Sequence, residues 1–197
     1  MRAEQREATR EQIVSAALMA MSEAGFDGVS TRAIAERANV SQGLLTYHFK
    51  SKEALWRAVA TYLFAMYEDS MKEVLSPVES IDPRVQCRDM IRQLVYFNAA
   101  HPEFMRFMIE HGTENNERSR WLVDTHLRPM YQQFAHVMGD IPQDDLPHAF
   151  YIIAGASGVI FCSPNECKGM TGIDPRSKAA IRRHADYLAS LMVSEYQ

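Results

Sequence analysis

Apolar positions recur every three to four residues along almost the whole chain, and no stretch alternates with period two. The pattern therefore predicts an all-α protein. Ile13, Ala17, Met21 and Ala24 put one apolar stripe on a first helix, which Gly25 ends while Phe26 folds back on its last turn. Leu55, Val59, Leu63 and Met66 give the stripe of a long helix from Lys52 to about Leu75. Trp56, Ala60, Tyr67 and Met71 widen that stripe, and Pro77 stops the helix. At a rise of about 1.5 Å per residue it is about 36 Å long, a rod able to couple the first part of the chain to the rest. Further helices are predicted at about 82–100, 102–112, 116–138, 144–162 and 175–195, with breaks at Pro102, Pro142, Gly172 and Pro175. Pro129 should kink its helix or remove one hydrogen bond, and Pro164 to Pro175 reads as a loop or broken turn.

Between the first and the long helix lies TRAIAERANVSQGLLTYHFKSK, residues Thr31 to Lys52. It reads as two short helices joined by a tight turn, a helix-turn-helix. Ile34 and Ala35 on one helix can meet Leu44 and Leu45 on the other only if the two cross steeply, and Ala35 is small where such a crossing brings backbones close. Asn39 stands at the sharp turn, where a left-handed backbone is needed, followed by Val40 in the link. Thr31, Ser41 and Ser51 each precede a helical stretch and can cap it.

A cap at Ser41 exposes Gln42, Gly43, Thr46 and Tyr47 on the first turns of the second helix. Gln42 can offer a paired donor and acceptor to an adenine edge. Thr46 can present a methyl to thymine or a hydroxyl to a phosphate. Gly43 lets the helix approach a groove closely. Tyr47, His48 and Lys52 suit phosphate contacts, which position a protein without reading sequence. A solvated helical hairpin also explains the polar residues, but less well the run Gly43 to Phe49.

At these residues the chain resembles the DNA-binding domain of TetR/AcrR-family transcriptional repressors, over about residues 10 to 55. The resemblance rests on Thr31-Arg32, Ile34-Ala35, Val40-Ser41, the stretch Gly43 to Phe49, and Ser51-Lys52-Glu53. Asn39 departs from the family's commonest Gly, and Leu45-Thr46 from a hydrophobic-Tyr pair, a difference that touches base preference. The resemblance implies an N-terminal three-helix reading head (residues 1–51) and a larger helical ligand-binding and dimerisation domain (residues 52–197). It implies double-stranded operator DNA as partner, through Thr31, Arg32, Ser41, Gln42, Gly43, Thr46, Tyr47, His48 and Lys52.

Charge sharpens this division. The chain of 197 residues has a formal net charge of -4. Residues 1–60 hold eight Lys/Arg against seven Asp/Glu, so the acidic excess lies beyond them. A DNA signal must then come from a local face rather than from bulk charge. Arg2, Arg6 and Arg10 share one helical face but interleave with Glu4, Glu7 and Glu11. A frayed, solvated terminus is the simpler reading, a phosphate-gripping arm the other. The cysteines are Cys87, Cys162 and Cys167, an odd number that implies no disulfide framework. No signal peptide is visible and the longest uncharged run, Ala149 to Asn165, is too short to span a membrane, so a cytoplasmic protein is expected.

The middle of the chain is rich in soft and aromatic side chains. Tyr62, Met66, Phe97, Phe104, Met108, Trp121, His126, Met130 and Phe134 are candidates to line a pocket for a largely apolar small molecule. An ordinary core explains each of them singly; the family, whose members usually bind an inducer in this domain, favours the pocket. The small-residue run Ala154 to Gly158 and the near-heptad closing helix suit either an intrachain core or a dimer interface. The resemblance favours a homodimer through Ala154, Gly158, Ile181, Ala185, Leu188 and Met192. The expected function is a repressor released from a near-palindromic operator by an inducer. A redox- or metal-responsive regulator using Cys162/Cys167 or histidines is the alternative, and a helical enzyme with a vestigial reading head a remote one. No catalytic residue, metal ligand set or cofactor is implied.

Overall fold

The computed structural model describes residues 2–76, 82–112, 115–139 and 141–194, with the side chains of Arg2, Val193 and Ser194 left out. Every element among them is helical: α1 (Arg2–Gly28), α2 (Thr31–Arg37), α3 (Gln42–His48), α4 (Lys52–Leu75), α5 (Pro83–Ala100), α6 (Pro102–Gly112), α7 (Glu117–Leu122), a π-helical turn (Val123–Leu127), α8 (Arg128–Val137), α9 (Leu146–Cys162), α10 (Pro164–Thr171) and α11 (Lys178–Ser194). The expected helix stop at Pro77 lies outside the described residues. Among the described residues no single helix is long and apolar enough to cross a membrane.

The chain forms two compact units. One comprises Met1–Met66 with Arg106–Asn115, the other Tyr67–Met105 with Asn116–Gln197. In the first, Ile13, Val14, Ala17, Leu18 and Met21 of α1 are buried with Ile34 and Ala35 of α2, Leu45 of α3, and Leu55, Trp56, Val59, Ala60 and Leu63 of α4. Ala24 is exposed, so the stripe of α1 ends one turn earlier than its spacing predicts. Gly25 breaks the helix as expected: its φ of 72° and ψ of 172° belong to a region that only glycine occupies freely. The Glu110 carboxylate lies where a Cβ on Gly25 would stand. Gly25→Ala is therefore expected to cost about 2–4 kcal/mol, strain plus displacement of Glu110. Chemical denaturation checks this, and a loss below about 0.5 kcal/mol would contradict it.

In the second unit α11 packs along α5 and α9. Val95 and Ile91 of α5, Ile153 and Phe161 of α9, and Ala185, Leu188, Ala189 and Met192 of α11 are buried there. Tyr67 stacks on Phe104 (centroids 5.7 Å, 10° between planes), and Phe97 meets both edge-on. One expectation is corrected in this unit. Residues 164–171 form a helix, α10, set at 83° to α9, not a loop. Pro164 starts it, where a missing N–H costs nothing, and left-handed Gly172 (φ 75°) ends it. At Pro129 the second of the two expected outcomes holds, the loss of one hydrogen bond. The preceding turn widens, and Arg128 N–H bonds to the Val123 carbonyl, five residues back. That shift in register absorbs the hydrogen bond that proline cannot donate.

Candidate nucleic-acid interface

The reading face is built from three capped helices of the first unit. Ser30, one residue before the position expected from sequence, caps α2: its hydroxyl accepts from Ala33 N–H at 3.1 Å. Thr31 is instead the first helical residue, and its hydroxyl accepts from Gln42 Nε2 at 3.1 Å. Ser41 and Ser51 cap as expected, accepting from Leu44 N–H at 3.1 Å and Ala54 N–H at 3.0 Å. Between α2 and α3 the chain reverses at Asn39 in the left-handed conformation (φ 51°). Its neighbour Val40 donates back to the Ala35 carbonyl at 2.9 Å. From α1, Gln12 Nε2 donates to the Ala38 carbonyl at 2.8 Å, satisfying the end of α2. Arg37 grips Glu23 with two hydrogen bonds (2.7 and 2.9 Å), which lowers the Glu23 pKa and raises that of Arg37. This pair is exposed, worth about 0–1 kcal/mol, and it fixes the angle of α2 on α1 more than it stabilises the unit.

Leu45 alone of the Leu44-Leu45 pair turns inward; Leu44 is exposed because one face of a two-turn helix has room for one leucine. The opposite face presents Gln42, Gly43, Thr46 and Tyr47 to solvent. The Gln42 amide is oriented by Thr31, and the Thr46 hydroxyl donates to the Gln42 carbonyl at 2.9 Å. With its proton so engaged, Thr46 has a methyl to offer, not a phosphate donor. His48 is half-buried, and burial together with Arg6 and Arg10 pushes its pKa below the ordinary 6.5, against a smaller opposing effect of Glu7. It is therefore a neutral imidazole at pH 7. Arg32 is exposed and paired with Glu36 at 3.1 Å. The Lys52 ammonium sits 4.4 Å from the centre of the Phe26 ring.

From sequence Arg6 entered only as part of the alternative phosphate-gripping arm, and Lys50 was not singled out. The Arg6 guanidinium lies 5.6 Å from the Tyr47 ring centroid and the Lys50 ammonium 5.8 Å from the same ring. Arg10 lies 5.4 Å from the Phe49 ring. The first turns of α1 are thus helical and held against α3 by cation–aromatic contacts, not frayed. The only signal in the sequence was the Arg2, Arg6, Arg10 spacing, which the interleaved glutamates masked.

The remaining candidates fall as follows. Tyr62, Met66 and Met108 belong to the first unit; Phe97, Phe104, Trp121, His126, Met130 and Phe134 belong to the second. Tyr62 is exposed and lines an open depression of about 390 Å³ between α1 and α4, with Arg10, Val14 and Arg57. Trp121 meets His126 edge-on at 5.3 Å, and burial lowers the His126 pKa. Phe134 packs on Phe150 at 5.2 Å. In the closing region Gly158, Ala185, Leu188 and Met192 are buried within their own chain. A Cβ on Gly158 would stand 2.7 Å from Met105 Cε. Ala154 and Ile181 are half-buried. The apolar face open to solvent is a different one: Tyr151, Ile152 and Val159 on α9, Tyr187 and Leu191 on α11. Cys87 is buried, its thiol pushed up to about 11 by burial. Cys162 and Cys167 lie either side of the bend at Ser163.

Residues 13–59 match the family of bacterial regulatory proteins described as the tetR family. The chain is 24% identical over 119 residues to the probable HTH-type transcriptional regulator YttP of Bacillus subtilis, covering 60% of this chain and 58% of that one. It is 33% identical over 79 residues to the HTH-type transcriptional regulator BetI of Yersinia pestis, 40% of each chain. The matches thus span about half of the curated relatives' length. Among solved structures, AibR in complex with isovaleryl coenzyme A and operator DNA superimposes with a TM-score of 0.71 at 17% identity, covering 93% of this chain and 97% of that one.

Proposed function

We propose that the chain, whose residues 13–59 match the tetR family of bacterial regulatory proteins, is a homodimeric transcriptional repressor released from its operator by a small molecule. The observation that carries the reading is the outer face of α3. Gln42, Gly43, Thr46 and Tyr47 are exposed on a helix locked from behind by Leu45 and capped by Ser41. This helix would enter the major groove. Gln42, its amide held by Thr31, reads an adenine edge, and Thr46 lays its methyl on a thymine. Tyr47, His48, Arg32, Ser41 and Lys52 hold the phosphates around them. Two such helices in a dimer would sit about 34–36 Å apart on a near-palindromic site.

Dimerisation would use the exposed face of α9 and α11, where Tyr151, Ile152, Val159, Tyr187 and Leu191 stand in water on the isolated chain. The inducer would enter the second unit, whose aromatic side chains Phe97, Phe104, Trp121 and Phe134 suit a largely apolar ligand. AibR, whose structure holds isovaleryl coenzyme A and operator DNA, has the same fold and a ligand with an apolar acyl end on a polar, charged body. A ligand of this sort changes operator affinity only by its differential affinity for the two states of the protein.

Selection of duplexes from a random-sequence pool tests the reading, and a protein that enriches no duplex in a salt-sensitive way would refute it. Gln42→Ala is expected to relax preference at one position of each half-site, costing about 1–3 kcal/mol on the preferred base and almost nothing on the others. Equal loss on every sequence would contradict the role given to Gln42.

A further inference from the structure

The basic side chains of the reading head divide into two classes. Arg10 is paired with Glu7 at 3.5 Å, Arg32 with Glu36 at 3.1 Å, Arg37 with Glu23 at 2.7 Å and Arg57 with Glu53 at 3.2 Å. Lys52 is engaged with the face of Phe26. Arg6 and Lys50 differ: among the described residues neither has a carboxylate within 4.0 Å, and both are exposed. Both lie within 6 Å of one ring, that of Tyr47, which is itself 57% exposed.

This arrangement brings two like charges to one small site, with no carboxylate within 4.0 Å of either among the described residues. The ring quadrupole offsets part of the repulsion. An anion placed between them would remove the rest. Arg6 reaches the site from the second turn of α1, Lys50 from the residue after the cap of α3, and Tyr47 from the last turn of α3. One group thus comes from the helix-turn-helix itself, one from its exit and one from a segment ahead of the family match, which begins at residue 13.

We propose that Arg6 and Lys50 grip the DNA backbone on either side of the Tyr47 contact, forming a phosphate clamp that the first turns of α1 complete. The proposal rests on the DNA-binding reading above. Arg6 is the stronger half, since its guanidinium can bind a phosphate through two parallel hydrogen bonds while staying beside the tyrosine ring. The clamp carries no base information, and it sets how deeply α3 is drawn into the groove. It also helps a head with almost no net charge bind a polyanion: Arg10, Arg32, Arg37 and Arg57 each face a carboxylate, whereas Arg6 and Lys50 keep their charge for the phosphates.

The test uses the full chain and the duplex that the wild-type protein selects from a random pool. Binding is measured by fluorescence anisotropy across a range of potassium chloride concentrations. Arg6→Gln and Lys50→Gln are each expected to weaken binding about tenfold near physiological salt. Each should also lower the slope of log affinity against log salt by about 1 per subunit, with base preference unchanged. Arg6→Lys should keep the slope and lose part of the affinity. Melting temperatures should stay at the wild-type value, so that a fold defect cannot imitate the result. An unchanged slope in Arg6→Gln and Lys50→Gln would overturn the clamp while wild-type binding upholds the DNA reading. A shift in base preference would overturn it too, by making these residues readers. Absence of salt-sensitive binding by the wild-type protein would instead overturn the DNA reading on which the clamp rests.

Discussion

Trp56→Ala is expected to destabilise the first unit by about 3–5 kcal/mol, the largest loss from any single truncation there. Trp56 is fully buried. Its ring stacks on Phe107 (centroids 5.7 Å, planes 22° apart) and meets His111 edge-on at 5.2 Å. Its indole N–H donates to His111 Nε2 at 3.0 Å, inside the protein. An indole nitrogen can only donate, so Nε2 must be the unprotonated nitrogen of a neutral imidazole. Truncation would open a cavity the size of two fused rings and take the donor from a buried acceptor. Against a total of about 5–15 kcal/mol for a domain, that is a third or more of the stability. At about 2–4 °C per kcal/mol the melting point should fall by roughly 10 °C. Trp56→Phe separates the two contributions: it keeps most of the stacking and loses the hydrogen bond, for about 1–3 kcal/mol. Should Trp56→Ala cost less than about 1 kcal/mol in denaturant titration, Trp56 would not be the centre of this unit. Should the two variants be equal, the hydrogen bond and not the packing would dominate.

This example shows what was legible in the sequence. Trp56 was visible as part of the apolar stripe of the long helix, because a period near 3.6 is written locally. Its partners Phe107 and His111 are about fifty residues away, and nothing local encodes that distance. The same divide runs through the reading face. Ser41, Asn39 and the exposure of Gln42, Gly43 and Thr46 follow from capping and turn chemistry, and the structure agrees on each. The cap at Ser30 was displaced by one residue because Ser30 and Thr31 are adjacent and chemically equivalent as caps. Arg6 was hidden for a different reason. Alternating charge on α1 looks the same whether the arginines face water or a tyrosine of another helix. In the closing helices the pattern of α11 contains two apolar faces. Ala185, Leu188 and Met192 make one, Tyr187 and Leu191 the other. Spacing identifies both and does not say which is covered by the chain's own α5 and α9.

That ambiguity has a sharp experimental consequence, and it is the second large effect. In the proposed homodimer, Val159→Asp is expected to give monomers and to weaken operator binding by about 10²–10⁴-fold. The second half-site would then have to be captured from solution instead of by a tethered partner. Val159 is 52% exposed, with Ile152 and Tyr151 on the same helix also open to solvent. In a twofold interface the same patch meets itself, so one substitution places two carboxylates in an apolar contact. The monomer itself should hardly be affected, since a half-exposed surface position away from special geometry changes stability by about 0.5 kcal/mol. Leu188→Asp should behave in the opposite way. Leu188 is 4% exposed on the inner face of α11, and a carboxylate there is buried without a partner, so the chain should unfold before any question of assembly arises. Sedimentation gives the mass of each variant and circular dichroism its folding. A folded monomer for Val159→Asp beside an unfolded Leu188→Asp supports the assignment of the two faces. If Val159→Asp sediments as a dimer, the partner face lies elsewhere. If Leu188→Asp stays folded and becomes monomeric, the inner face of α11 is the interface and the division argued here is inverted.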